Sequence, residues 1–341
     1  MRTLLLTAAL LVVGALSAQD RVADREAKVR AYLDRGKAYK AIAQCNAMLG
    51  RDPEPRFLCL RAEAYNRLGD HANAERDARA AVKAFPADAS AYLQLGMAEQ
   101  GLGLVDSAMA HLRTSISLRP TSEARLRLAT ALRAQGDARA ALAELEIAWQ
   151  ELPEGDRRVA GLERARGECL AVAGDTAGAR AAFGRSLAVV PDDPVTYNSR
   201  GWFLYAQHGR HAEAVSDYDQ AIRLNPNYSY AFNNRGWSRY RMGEVGKGLA
   251  DIEKARRRKV FNPYIYRNLG IIAQEQGDRQ RACDQFRKAL AYGFTEQFGG
   301  EVKELMAANC QGTNITPVPV QAPSAPLNNA PKDPPVRTNA P

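Results

Sequence analysis

Histidine is scarce in this chain, with four in 341 residues. The only neighbouring pair, His208 and His211, has Gly209 between them. Residues three apart can share a helix face, but this pair straddles a turn, so no metal site is expected there. Cysteine is sparse as well. None of the five stands in a C-x-x-C spacing, which argues against the common zinc and dithiol redox motifs. There is no H-E-x-x-H, no G-x-S-x-G and no glycine-rich phosphate loop. No catalytic constellation is visible and no cofactor or metal is expected, so the chain reads as a non-enzyme. The apolar run Leu4 to Leu16 is too short to cross a bilayer comfortably.

What is present is a glycine clock. Gly36, Gly69, Gly103, Gly136, Gly174, Gly209, Gly243 and Gly277 follow one another at intervals of 33, 34, 33, 38, 35, 34 and 34 residues. A period near 34 belongs to helix–turn–helix units that cannot bury their apolar faces alone and must stack. Five residues after each glycine stand Ala41, Ala74, Ala108, Ala141, Ala179, Ala214 and Ala282, with Gly248 the exception. Nine after stand Cys45, Ala78, Leu112, Leu145, Phe183, Tyr218, Ile252 and Phe286, and twelve after stand Met48, Ala81, Ser115, Ala148, Ser186, Ala221, Ala255 and Ala289. Offsets of five, nine and twelve lie on one helical face. Pro53, Pro86, Pro120, Pro153, Pro191 and Pro226 follow at seventeen, where a residue lacking an N–H ends the second helix. The long interval between Gly136 and Gly174 places about four extra residues in a loop around Pro153 to Gly161.

With these residues in view, the chain resembles the tetratricopeptide-repeat family. Repeat three carries Tyr92, Leu95, Gly96, Ala108, Leu112 and Pro120; repeat six Tyr197, Gly201, Ala214, Tyr218 and Pro226; repeat eight Tyr266, Leu269, Gly270, Ala282 and Phe286. Repeats one and two lack the Leu-Gly pair, and repeat seven lacks both the alanine and the terminal proline. The resemblance implies an all-α, right-handed superhelical solenoid of about eight repeats over residues 22–296. It also implies a capping helix over 297–311, where Val302, Leu305 and Met306 form an apolar stripe.

The ends are of different character. Arg2, the apolar run and the small residues Ser17 and Ala18 form the pattern of a secretory signal peptide over residues 1–18. An exported protein, periplasmic or extracellular and soluble after cleavage, is expected. Residues 312–341 hold Pro317, Pro319, Pro323, Pro326, Pro331, Pro334, Pro335 and Pro341 and no aromatic residue. Such a segment cannot bury enough apolar surface to fold and is expected to be disordered and extended. It reads as a plain tail, a spacer or a docking segment. The net charge of +9 fits dispersed surface arginines, and nucleic acid is not an expected partner. Arg256 to Lys259 would complement the carbonyl end of a helix.

Export permits disulfides. Cys283, early in the last second helix, and Cys310, near the end of the cap, would lie at one end of the stack and are expected to pair. Cys45 and Cys59 match less well in height, and Cys169 is left over as a small buried residue.

In this family the first helix of each unit lines the concave wall. In repeat six the stripe is Val195, Asn198, Trp202 and Tyr205; in repeat seven Tyr230, Asn233, Trp237 and Tyr240; in repeat eight Tyr264, Arg267, Ile271 and Gln274. Repeat three offers the milder Ser90, Leu93, Met97 and Gln100. Asn, Trp and Tyr recur at one spacing in two successive repeats. Aromatic rings supply contact area at small entropic cost, and amides can pair with a peptide backbone. The expected peptide-binding residues are therefore Asn198, Trp202, Tyr205, Tyr230, Asn233, Trp237, Tyr240, Tyr264 and Arg267, the last for a carboxylate. Packing of both tryptophans between helices is the competing reading. The expected function is a scaffold binding a peptide or protein partner in its groove, with an envelope spacer that docks through its tail as the alternative.

Overall fold

The computed structural model describes residues 22–50, 54–258, 262–292, 294 and 300–310. The signal-peptide pattern and the proline-rich segment lie outside the described residues. Among those described there are seventeen helices and no strand. The first, α1, spans 22–34. Then follow α2 (Ala38–Leu49), α3 (Pro55–Leu68), α4 (His71–Ala84), α5 (Ala89–Gly101), α6 (Val105–Leu118), α7 (Ser122–Ala134), α8 (Ala138–Gln150), α9 (Val159–Val172) and α10 (Thr176–Val189). The C-terminal half comprises α11 (from Pro194), α12 (His211–Leu224), α13 (Ser229–Arg241), α14 (Val245–Arg258), α15 (Pro263–Glu275), α16 (Arg279–Ala291) and α17 (Glu301–Asn309). Odd and even helices pair into eight repeats, and α17 packs on α16 beyond the last. The extra residues of the long interval fall in the loop 151–158, between α8 and α9.

Each turn is built from two adjacent residues. The eight clock glycines all have positive φ, from 69° to 87°, a conformation that costs a side-chain-bearing residue. In four repeats the next residue is Asp70, Asp137, Asp175 or Asp278, whose carboxylate accepts a backbone N–H in the first turn of the second helix. Such caps are worth about 1 kcal/mol each.

Every residue at the three offsets is buried, from Ala41, Cys45 and Met48 to Ala282, Phe286 and Ala289. The core is thus a chain of small clusters passed from repeat to repeat. A fully buried Phe183 or Phe286 contributes about 1.5–3 kcal/mol by leaving water. Gly248 departs from the alanine series for a reason visible in its neighbour. A Cβ there would stand 2.7 Å from the Gly236 carbonyl oxygen, and a Cβ on Gly236 would stand 2.7 Å from that of Gly248. The backbones of α13 and α14 touch where other repeats place an alanine.

Two features of the pairing were not anticipated. Arg61–Asp77, Arg200–Asp217 and Arg235–Asp251 each join the two helices of one repeat by two nitrogen–oxygen bonds of 2.6–2.9 Å. The partners are 16, 17 and 16 residues apart. The odd one lies in repeat six, where α11 is not uniform. Its α-helical part, Pro194–Arg200, runs into a π-helical turn at Gly201–Tyr205 and a 3-10 turn at Ala206–His208. Gly201 stands eight residues before its turn glycine, whereas Gly96, Gly167, Gly236 and Gly270 stand seven before theirs. One residue is inserted, and a wider helical turn holds it.

Candidate interaction surface

Successive first helices approach one another along the stack, α3 to α5, α7 to α9 and α9 to α11 most closely, while successive second helices come less close together. A rod packed in this way is curved with its first helices on the inner side.

On that inner side the asparagines are joined. Arg267 donates from Nη1 to Asn268 Oδ1 at 2.9 Å, Asn268 donates to Asn233 Oδ1 at 3.2 Å, Asn233 to Asn234 Oδ1 at 3.3 Å and Asn234 to Asn198 Oδ1 at 3.0 Å. The chain of bonds crosses repeats eight, seven and six, with every donor pointing the same way. Asn233 and Asn268 are buried, and Asn198 and Asn234 half-buried. Each carbonyl oxygen accepts one bond and three of the four NH2 groups give one, so it is the half-buried Asn198 and Asn234 that a bound molecule could reach. The sequence reading singled out Asn198 and Asn233 but passed over Asn234 and Asn268. Their signal was the Asn-Asn pair at 233–234, with another asparagine one repeat away on each side.

Both indoles are half-buried and pack on the rim of a core cluster, Trp202 against Ala206, Ala214 and Tyr218, and Trp237 beside Phe232, Ile252 and Ile265. They are neither hidden nor fully presented. Trp237 is stacked with Tyr240, centroids 6.0 Å apart, and has the guanidinium carbons of Arg267 and Arg241 at 5.3 and 5.7 Å from its ring centre. Tyr240 donates to Glu275 Oε2 at 2.6 Å. Tyr205, on the π turn, has Arg210 at 4.9 Å. Tyr230 meets Tyr228 edge-on at 6.2 Å, and Tyr264 meets Phe294 at 5.4 Å. Arg267 already holds a carboxylate of its own chain: Nε and Nη2 contact the two oxygens of Glu301, the first residue of α17, at 3.0 and 2.5 Å.

The wall continues into repeats four and five, which the sequence reading left blank. Glu168 occupies in α9 the place after the small residue that Trp202 and Trp237 occupy in their helices. It is buried and gathers Arg133 at 3.3 Å, Arg164 at 3.2 Å and the Ser199 hydroxyl at 2.8 Å. Arg133 lies 4.9 Å from the Phe203 ring centre. Burial and the nearby Tyr230 raise the Tyr264 phenol well above its ordinary range, while Arg133 and Arg267 oppose the shift.

Cys283 and Cys310 form a disulfide with Cα atoms 5.7 Å apart. Cys45, Cys59 and Cys169 are buried thiols. His208 ends α11 at its 3-10 turn, and His211 opens α12 beside Ser238. Among the described residues no group of His, Cys, Asp and Glu could hold a metal ion.

Family models described as tetratricopeptide repeat match residues 26–89, 59–123 and 264–292, and one described as TPR repeat matches 203–243. Among solved structures the chain is similar to the APC/C hetero-tetramer Cut9–Hcn1, at 14% identity and a TM-score of 0.55 over 82% of this chain. It spans 55% of the length of that relative. It is also similar to a tetratricopeptide repeat protein from Parabacteroides merdae, at 20% identity and a TM-score of 0.53 over 75% of this chain and 98% of that one. Human IFIT1, crystallised as a dimer with PPP-AAAA, matches at 14% identity and a TM-score of 0.55 over 77% of this chain and 67% of that one. At such identities the likeness is one of fold. Eight stacked helix pairs with their glycine turns and small-residue faces, together with models of that repeat over residues 26–123, 203–243 and 264–292, show a solenoid of tetratricopeptide repeats.

Proposed function

We propose that the chain is a non-enzymatic, exported scaffold that holds a peptide or protein segment against the inner wall of repeats six to eight. The asparagine chain carries this reading. The amides of its two half-buried members, Asn198 and Asn234, are suited to pair with the backbone of an extended chain. Half-buried Trp202 and Trp237 flank it with apolar area, as aromatic anchors do at interaction hot spots. Arg267 differs from its expected use, because Glu301 occupies its fork. In this reading it orients Asn268 and covers Trp237 rather than receiving the partner's carboxylate. Similarity to a protein crystallised within a hetero-tetramer accords with a scaffold.

The test is binding of the mature chain to a peptide array made from envelope proteins. Trp202→Ala combined with Trp237→Ala should abolish the selected binding while helical circular dichroism is retained; undiminished binding would refute the groove. Export is tested separately by fusing residues 1–30 to a reporter active only outside the cytoplasm. A silent reporter would refute it.

A further inference from the structure

One place in the lining helices can be followed along the inner wall. It is the residue three before the small residue of each first helix: Leu93, Leu126, Arg164, Asn198 and Asn233 in repeats three to seven. The row passes from apolar residues through a cation to amides. Its cationic step is built from three helices. Arg133 from α7 and Arg164 from α9 stand 3.3 and 3.2 Å from the two oxygens of Glu168. Ser199 of α11 donates at 2.8 Å to the same oxygen, Oε1, that Arg164 contacts. The end of the Arg164 side chain therefore lies at the level of Ser199 and its chain neighbour Asn198.

Donors outnumber acceptors at this step. Two guanidinium groups share one carboxylate, so one positive charge is left over. Arg164 uses Nη1 on Glu168, while its Nε is buried without a partner among the described residues. Asn198 ends the asparagine chain: its Oδ1 accepts from Asn234, and its NH2 gives no bond among the described residues. Hydrogen bonds in series polarise one another, so that last NH2 is strengthened as a donor. Asp193, the acid that opens α11, gives its carboxylate to the Val195 and Thr196 N–H groups of its own helix. The side chains of Arg133 and Arg164 are 18% and 24% exposed and that of Glu168 is 8% exposed. The two cations are reachable, and the carboxylate that balances one of them is not.

We propose that the segment held on the inner wall carries an aspartate or glutamate within its length, and that this carboxylate seats on Arg133, Arg164 and the Asn198 NH2. The inference rests on the groove reading and adds the chemistry of the occupant. One spare charge suits a singly charged carboxylate better than a dianionic phosphate. The wall continues on both sides, to half-buried Leu126 and Leu93 one way and to Asn233 the other, so the acid belongs to a side chain of a segment that runs through rather than to a chain terminus. Packed helices lie about 8–10 Å apart, the reach of about three extended residues, which sets an apolar residue about three positions from the acid.

The probes are pools of twelve-residue peptides with both ends blocked, random among uncharged residues except for a fixed central glutamate in one pool and glutamine in the other. The pools are mixed, passed over the immobilised full-length chain and counted by mass spectrometry. Glutamate peptides should be retained about fivefold or more over glutamine peptides, as befits a charge-assisted hydrogen bond in a partly exposed site. Arg133→Gln should bring that ratio close to one, since Arg164 and Glu168 are then left as a neutral pair. Glu168→Gln keeps the shape and frees both guanidinium groups, so it should raise the ratio about threefold; a merely structural role for the cluster would not. Circular dichroism checks the fold of both variants. A third pool, with central glutamine and a free C-terminal carboxylate, should be retained no better than the blocked glutamine pool. No retention of any pool would sink the groove reading and this inference with it. Equal retention of the two blocked pools, a ratio indifferent to Arg133→Gln or to Glu168→Gln, or a preference for the free terminus would overturn the acidic seat and leave the groove standing.

Discussion

Arg267 and Glu301 meet across the boundary between the last repeat and the helix that covers it, two of the three guanidinium nitrogens each on one carboxylate oxygen. The arginine side chain is 17% exposed and the glutamate 43%. The pair itself should therefore add little, and Glu301→Ala should cost about 0.5–1 kcal/mol in urea unfolding. Arg267→Ala should cost about 1–2 kcal/mol, since it also strips the Trp237 face and the first donor of the asparagine chain. Equal costs would mean that those two contacts add nothing.

Gly248→Ala restores the residue that the other repeats carry, yet it should destabilise. The new Cβ would stand 2.7 Å from the Gly236 carbonyl and 2.9 Å from the Tyr240 backbone nitrogen, and overpacking of this kind costs about 1–3 kcal/mol. Gly184→Ala, with nothing within 4 Å of its Cβ position, should be neutral or gain about 0.5–1 kcal/mol from helix propensity. Denaturant midpoints compare the two. A stabilised Gly248→Ala protein would show that α13 and α14 do not touch.

Cys283→Ser should release α17 before anything else. The bridge closes a sequence separation of 27 residues, for which chain entropy gives about 3–4 kcal/mol. The prediction is faster amide exchange in 301–309 on reduction or mutation, with protection in α5 to α8 unchanged. Uniform loss of protection along the chain would contradict a local staple.

Burial pushes the Cys45 and Cys59 thiols up to about 12 and the Cys169 thiol up to about 11. Only the thiolate reacts, so a raised value means that less reactive species is present throughout the physiological range. Native protein at pH 8 should take up no iodoacetamide over an hour. In denaturant the three thiols should all label while the Cys283–Cys310 bridge stays intact. Labelling of native Cys59 would show that its site opens.

Much of the architecture was legible because a solenoid repeats its own constraints. The turn glycines and the small faces are demanded in every unit, so eight copies vote on the same positions. The inner wall was read only in part. Asn198, Trp202, Asn233 and Trp237 were chosen by helical spacing, which fixes the face on which a residue lies. It does not fix the height at which that residue meets the next helix, and the bond from Asn234 to Asn198 depends on height. The Arg–Asp pairs had a sequence signal that went unread: Asp77, Asp217 and Asp251 each stand eight residues after a turn glycine. Helical spacing alone offers Arg267 to a partner's carboxylate, because Glu301 lies in a separate helix whose docking the repeat period does not specify.

The surplus residue in α11 has an effect beyond its own repeat. An α-helix advances by about 100° per residue, so an added residue would ordinarily swing everything after it to another side of the cylinder. Here the five-residue π turn absorbs that angle. Ala206 is again buried, and Gly209 bends the chain at φ 71° like its counterparts. Repeats seven and eight inherit an unrotated start. A single unit can thus lengthen its lining helix without re-aiming its neighbours, which makes each segment of the wall separately adjustable.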